Sequence, residues 1–151
     1  MTTLLRRWVL WFFVLQAAFV GSWAAFAPGS WFQSFPGFGR HWLPMLGMYN
    51  EHLARDVGTL YLGLMVLSIG AAFRARDGYL VRLTGASWTL FNALHLIYHL
   101  DHLGMYTGLD WWGNLVSLAL TLLAGMVLLL PATAGHGPSE TTPGRLQTAE
   151  R

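Results

Sequence analysis

Four long runs without a charged residue alternate with polar or aromatic connections along this chain. Each run has about 17–20 residues, and a bilayer core about 30 Å thick needs roughly 17–25 helical residues per crossing. The pattern therefore predicts an all-α bundle of four transmembrane helices within one domain, residues 1–131. The predicted helices cover residues 8–27, 51–73, 80–103 and 111–130.

Composition supports a membrane protein. The 151 residues are 54% hydrophobic and 11% charged, whereas soluble domains carry about 25% charged residues. This excludes a soluble globular domain. A net charge of +2 from nine scattered arginines forms no basic stripe, so nucleic acid is not an expected partner. The chain has no cysteine or lysine, which excludes disulfides, thiolate metal sites and Schiff-base chemistry.

The arginines predict the orientation of the helices. Seven of the nine precede the first run, fill the connection 74–82 or lie in the C-terminal tail. The positive-inside bias therefore places both termini in the cytoplasm. Arginine-only basicity with abundant Ala, Gly and Leu suggests a GC-rich bacterial genome, so the expected location is a bacterial inner membrane. Residues 25–27 match the A-x-A pattern of a signal-peptide cleavage site. The first run is longer and more aromatic than a usual signal peptide, so we expect a retained helix.

The connections and the tail differ in composition. The outer loop, residues 28–49, is rich in Trp and Phe among Gly and Pro, and we expect it to lie on the membrane surface. Asn50 and Asp110 are predicted N-caps of the second and fourth helices. Residues 132–151 are rich in Gly, Pro, Ser and Thr, which predicts a disordered cytoplasmic tail.

Polar residues concentrate where the second helix begins and the third helix ends, both on the predicted outer side. The short connection 74–82 makes these two helices expected antiparallel neighbours. Helical geometry puts His52 and Asp56 side by side on the second helix. On the third helix, four residues fall within an arc of about 80°: Asn92, His95, His99 and His102. The fourth helix adds Asn114, Ser117 and Thr121, interpreted as helix–helix hydrogen bonding.

A metal site is the chemical hypothesis that this set favours. Imidazoles spaced i, i+4 and a carboxylate from a neighbouring helix can bind Zn, Fe or Mn, while Cu or a b-type haem are alternatives. The predicted metal ligands are His52, Asp56, His95, His99 and His102. Three further residues are candidates for binding or orienting an anionic group or substrate: Arg55, Glu51 and Asn92. The competing interpretation is that the histidines only form interhelical hydrogen bonds.

Two motifs resemble a known group of proteins. The sequences N-E-H-L-A-R-D-V-G at 50–58 and H-L-I-Y-H at 95–99 resemble uncharacterised four-helix membrane proteins of actinobacterial type, in an N-x-H-x-x-R-D-x-G and H-x-x-x-H pattern. The resemblance covers about a third of the chain. It implies the four-helix architecture and the choice of site residues, and it implies no reaction.

Several functions are compatible with these observations. The first is a membrane protein with an extracytoplasmic metal site that could act on a lipid-soluble substrate. The alternatives are a carrier or accessory subunit that binds a proton or small ligand, a b-type haem protein, and a structural partner of other membrane proteins. Expected partners are the lipid bilayer and either a second copy of the chain or another membrane protein.

Overall fold

The computed structural model describes residues 1–132, which are almost entirely helical, so the all-α prediction is confirmed. The five helices are α1 (Thr3–Phe26), α2 (Pro28–Ser34), α3 (Glu51–Phe73), α4 (Gly78–His102) and α5 (Gly108–Leu129). A hairpin of two short strands, β1 (Pro36–Gly37) and β2 (Arg40–His41), and a 3-10 turn, Leu43–Leu46, connect α2 to α3. Another 3-10 turn, Leu103–Met105, precedes α5. The predicted disordered tail, apart from residue 132, lies outside the described residues.

The four helices predicted from the apolar runs correspond to α1, α3, α4 and α5. Three of them, α1, α3 and α5, are long and apolar enough to cross a membrane. Helix α4, with 25 residues, is slightly longer than these three helices, but its asparagine and histidines lower its mean hydropathy. We call the end of the bundle at which α3 and α5 begin the outer end, after the predicted orientation, and the opposite end the inner end.

The helix starts follow from local capping, with one correction. Asn50 accepts a hydrogen bond from the backbone N of Leu53 at 3.1 Å, as predicted for an N-cap. The prediction that Asp110 caps the last helix is wrong, because α5 begins at Gly108 and Asp110 lies in its first turn. Helix α1 begins at Thr3 rather than at residue 8, because the Thr2 side chain caps it.

The helices associate in two close pairs, α1 with α3 and α4 with α5. A Cβ atom added to Gly58 would lie 2.3 Å from the Ala25 backbone N, and one added to Gly85 would lie 2.6 Å from Leu128 Cβ. Small residues allow such close backbone approach in membrane proteins. Helices α3 and α4, which were expected to be neighbours, do touch, but they pack less closely on each other than the helices of either pair.

The inner end is closed by contacts between the start of α1 and the end of α5. Arg6 is only 2% exposed, and its guanidinium donates to the Leu130 carbonyl at 3.3 Å. The amino group of Met1 donates to the Pro131 carbonyl at 2.7 Å. From the sequence, Arg6 was expected only to help orient the chain. In the structure it also donates to the Leu130 carbonyl, which the end of α5 leaves without a partner.

The hydrophobic core occupies the region between α1, α3 and α4. Phe13 stacks on the fully buried Trp88 with ring centroids 4.3 Å apart, and Trp88 Nε1 donates to Ser68 Oγ at 2.9 Å. Tyr61 packs edge-on against Trp88 at 6.0 Å and against Phe91 at 5.3 Å. Tyr61 and Phe91 also form part of the wall of a cavity, which begins where this core ends.

Candidate functional site

A cavity of about 390 Å³ lies in the centre of the bundle and is lined by all five helices. The segment 28–49 contributes Trp31, Phe35 and Trp42 to its wall, while Phe38 and Met48 of the same segment are almost fully exposed. The predicted outer loop is therefore partly a wall of this cavity. The polar lining residues are Gln16, Asn92, His95, His99, Asn114, Ser117 and Thr121.

Three of the four residues predicted to share one face of α4 line the cavity, namely Asn92, His95 and His99. The rings of His95 and His99 lie 4.6 Å apart, and Phe91 stacks on His95 at 5.4 Å. His102 is not part of this wall. Its ring stacks on Tyr98 at 4.2 Å, and its Nδ1 lies 2.8 Å from the Tyr98 carbonyl oxygen.

Three buried polar atoms in the residues around the cavity have no hydrogen-bond partner. They are His99 Nδ1, Gln16 Oε1 and Trp31 Nε1. His99 itself is only 7% exposed. More than about nine in ten buried polar groups in proteins are hydrogen-bonded, because an unpaired one has lost its hydration without compensation. Three of the residues that line this one cavity therefore each carry a buried polar atom without a partner.

The hydroxyl groups of α5 complete the cavity wall opposite α4. Ser117 donates to the Asn114 carbonyl at 3.1 Å, and Thr121 donates to the Leu118 carbonyl at 2.9 Å. Since each hydroxyl donates to its own helix, its oxygen can still accept a hydrogen bond. The stripe on α5, interpreted from the sequence as helix–helix contact, is therefore part of the candidate site.

The predicted site residues of α3 do not line the cavity. His52 Nε2 and Asp56 Oδ2 lie 3.3 Å apart, with side chains 89% and 58% exposed. Arg55 pairs with Glu51 at 2.8 Å and donates to the Ala25 carbonyl, near the end of α1, at 2.6 Å. Glu51 and Arg55 thus hold α3 against α1, a role that the sequence did not indicate.

The structure gives no support to the predicted metal site. Among residues 1–132, no three His, Asp or Glu side chains come together in a way that could hold a metal ion. His52 and Asp56 lie on the exposed side of α3, His95 and His99 line the cavity, and His102 stacks on Tyr98. The physical reason is the helix pairing, because α3 packs on α1 and its polar residues do not meet those of α4.

The outer loop is held at the start of α5 by side chains whose role in this contact the sequence did not indicate. The Asp110 carboxylate accepts hydrogen bonds from Arg40 and from Trp42 Nε1, and the Tyr106 hydroxyl donates to the Trp42 carbonyl at 2.9 Å. Burial raises the pKa of Tyr106 to about 12, so the phenol stays protonated and able to donate. These bonds fix Trp42 in the cavity wall.

No protein-family model matches the chain, and neither the curated proteins nor the solved structures contain a match. The resemblance to four-helix proteins of actinobacterial type therefore stays a prediction.

Proposed function

We propose that this chain is a four-span integral membrane protein that binds a small lipid-soluble molecule in its central cavity. The observation that carries the proposal is His99, which is 7% exposed, lines the cavity and has an unpartnered Nδ1. A ring nitrogen buried without a partner lowers stability unless something else satisfies it. A ligand with a polar group would supply the missing hydrogen bond.

The size and chemistry of the cavity support a small-molecule site. Its volume of about 390 Å³ falls within the range of roughly 300–1,000 Å³ that is usual for ligand pockets. Such pockets are mostly apolar, with a few polar groups that orient the ligand. Here aromatic and aliphatic side chains form most of the wall, and the polar groups come mainly from facing stretches of α4 and α5.

The two faces of α4 support its assignment as the fourth membrane span. Leu90, Leu94 and Ile97 are exposed by 65%, 61% and 58% on the surface of the bundle. The polar residues that lower the hydropathy of α4 line the cavity instead. Intramembrane polar residues characteristically face the interior of a bundle in this way.

The arginines support an orientation with both termini in the cytoplasm of a bacterial inner membrane. Arg74, Arg76 and Arg82 cluster around the connection between α3 and α4, at the same end as Arg6 and Arg7. Helix α1 supplies Leu10 and Phe13 to the core and pairs along its length with α3. This packing supports a retained first helix over a cleaved signal peptide.

Small molecules that copurify with the protein test the proposal. The full chain and the variants His99→Leu, Ser117→Leu and His52→Ala are purified in mild detergent and checked for monodispersity. Organic extracts are then analysed by mass spectrometry. Ser117→Leu fills part of the cavity from the α5 side and leaves His99 unchanged. It therefore tests the cavity even if His99→Leu fails to fold.

We expect the same small molecule to copurify with the unmodified protein and with His52→Ala, at a molar ratio close to one per protein chain. It should be depleted in both cavity variants. The same lipids in the same ratios in all four preparations would overturn the proposal. So would a metal ion bound one per chain and lost in His99→Leu, because it would restore the metal hypothesis.

A further inference from the structure

The cavity restricts the chemical class of the molecule that it can hold. We propose that the ligand is a neutral, flat ring compound that carries oxygen on the ring, of the quinone or phenol class. This inference rests on the proposed function, and it adds the identity of the recognised group. Four features of the cavity lead to it: its size, its lack of charge, its aromatic walls and its unpartnered polar atoms.

Size limits the ligand to a small ring system. An engineered protein cavity of about 150 Å³ holds a single benzene molecule. The present cavity, at about 390 Å³, has room for two fused rings or for one ring with short substituents. A complete membrane phospholipid is too large to be enclosed, although a longer tail could leave the cavity between helices.

The lining carries no formal charge. No Asp, Glu or Arg is among the residues of the described chain that form the cavity wall, and the protein has no lysine. Burying an ion without a counter-ion is very costly, so a charged headgroup would not be stable here. The ligand is therefore neutral, which excludes phosphates, carboxylates and ammonium groups as the recognised group.

The walls present several aromatic rings. Trp31 and Phe35 lie 6.0 Å apart, and Phe35 meets Trp42 edge-on at 6.2 Å. On the α4 side, Phe91 and His95 are stacked nearly parallel, with 15° between their planes. Aromatic rings attract other rings through offset stacking and edge-to-face contacts beyond the effect of buried area. A flat ring gains these contacts, and a flexible alkyl chain does not.

The unpartnered atoms need hydrogen-bond partners on that ring, and ring oxygens supply them. Trp31 Nε1 can only donate a hydrogen bond, so the ligand has to offer an acceptor. His99 Nδ1 can donate or accept, whereas Gln16 Oε1 can only accept. A ring carbonyl can accept from Trp31 Nε1 or from His99 Nδ1, while a ring hydroxyl can also donate to Gln16 Oε1. Both oxidation states of a quinone therefore fit the same groups.

Three probe compounds separate these features, namely 2-methyl-1,4-naphthoquinone, 2-methylnaphthalene and 1-dodecanol. The first has the ring and its oxygens, the second has the ring alone, and the third has a hydroxyl on a flexible chain. Binding to the full chain in nanodiscs, after extraction of copurified molecules, is measured by the shift of the thermal unfolding midpoint. The variants Trp31→Phe and His99→Leu are compared with His52→Ala, which lies away from the cavity.

The naphthoquinone should bind at least tenfold more tightly than methylnaphthalene, since about 1 kcal/mol per hydrogen bond corresponds to roughly fivefold in affinity. Trp31→Phe keeps a ring and removes the N–H, so it should weaken naphthoquinone about fivefold and leave methylnaphthalene unchanged. Equal binding of the two ring compounds, or tighter binding of dodecanol, would overturn the ring-oxygen inference while the proposed function stands. Binding of none of the three, with no copurified molecule, would overturn both.

Discussion

The outer ends of α3 and α4 carry similar side chains at the same helical spacing, yet they lie in opposite environments. His52 and Asp56 of α3 form an exposed pair, with side chains 89% and 58% accessible. His95 and His99 of α4 line the cavity, and His99 is only 7% exposed. The difference arises from the neighbouring helices. Helix α3 packs on α1, whereas the polar face of α4 is covered by α5 and by the outer loop.

This difference decides which of the two pairs, His52–Asp56 or His95–His99, would gain more from a new hydrogen bond. An exposed side-chain pair one helical turn apart contributes at most about 0.3–0.5 kcal/mol where water solvates both partners. A buried imidazole with a free nitrogen has lost that solvation and gains much more from a new hydrogen bond. Substitutions at four positions test these environments, and the first should cost the most stability.

Gly58→Ala should cause the largest loss of stability. Its Cβ would lie 2.3 Å from the Ala25 backbone N, so α1 and α3 would have to move apart. Overpacking of this kind typically costs about 1–3 kcal/mol. Thermal unfolding in detergent measures the change, with Gly63→Ala as the matched control, because a Cβ at Gly63 meets no atom within 4 Å. Equal unfolding temperatures for the two variants would contradict the proposed close contact of α1 with α3.

Arg55→Ala should follow, with a loss of about 1–2 kcal/mol for a partly exposed charged donor. The guanidinium holds the Ala25 carbonyl near the end of α1 and pairs with Glu51. Chemical denaturation in detergent measures the loss, and Arg76→Ala, an exposed residue between α3 and α4, is the control. If Arg55→Ala left stability intact but removed the bound molecule, Arg55 would belong to the ligand site after all.

Tyr106→Phe should cost about 1 kcal/mol, since it removes the hydrogen bond to the Trp42 carbonyl. The raised pKa of Tyr106, about 12 against an ordinary value near 10, means that folding favours the neutral phenol. Its stabilising contribution is therefore present below pH 10 and is lost as the pH rises from 10 to 12.

Unfolding of the unmodified protein, Tyr106→Phe and Tyr79→Phe is compared between pH 8 and pH 12. The unmodified protein should have a higher free energy of unfolding than Tyr106→Phe at pH 8, and this difference should shrink between pH 10 and pH 12. Tyr79 is 74% exposed, so its variant should follow the unmodified protein throughout. If the difference in unfolding free energy between the unmodified protein and Tyr106→Phe did not change with pH, the Tyr106 hydroxyl would not hold the outer loop.

The sequence predicts the helices and one face of the site, but not how the helices are paired. Apolar runs locate α1, α3 and α5, and the helical period correctly groups Asn92, His95 and His99. The period cannot show which helix covers a given face. That choice depends on Gly58 and Gly85, whose backbones contact neighbouring helices. The aromatic outer loop has no period at all, so the position of Trp31 in the cavity wall was beyond prediction.

His52→Ala should have the smallest effect, below about 0.5 kcal/mol in unfolding free energy. The ring is almost fully exposed and its contact with Asp56 is 3.3 Å long, so little is lost when it is removed. A double-mutant cycle with Asp56→Ala should give a coupling energy of about 0.3–0.5 kcal/mol, smaller at high salt. The bound molecule should be retained in all three variants. A coupling above about 1 kcal/mol would show that the pair is desolvated in the membrane, and the contrast between the outer ends of α3 and α4 would then fail.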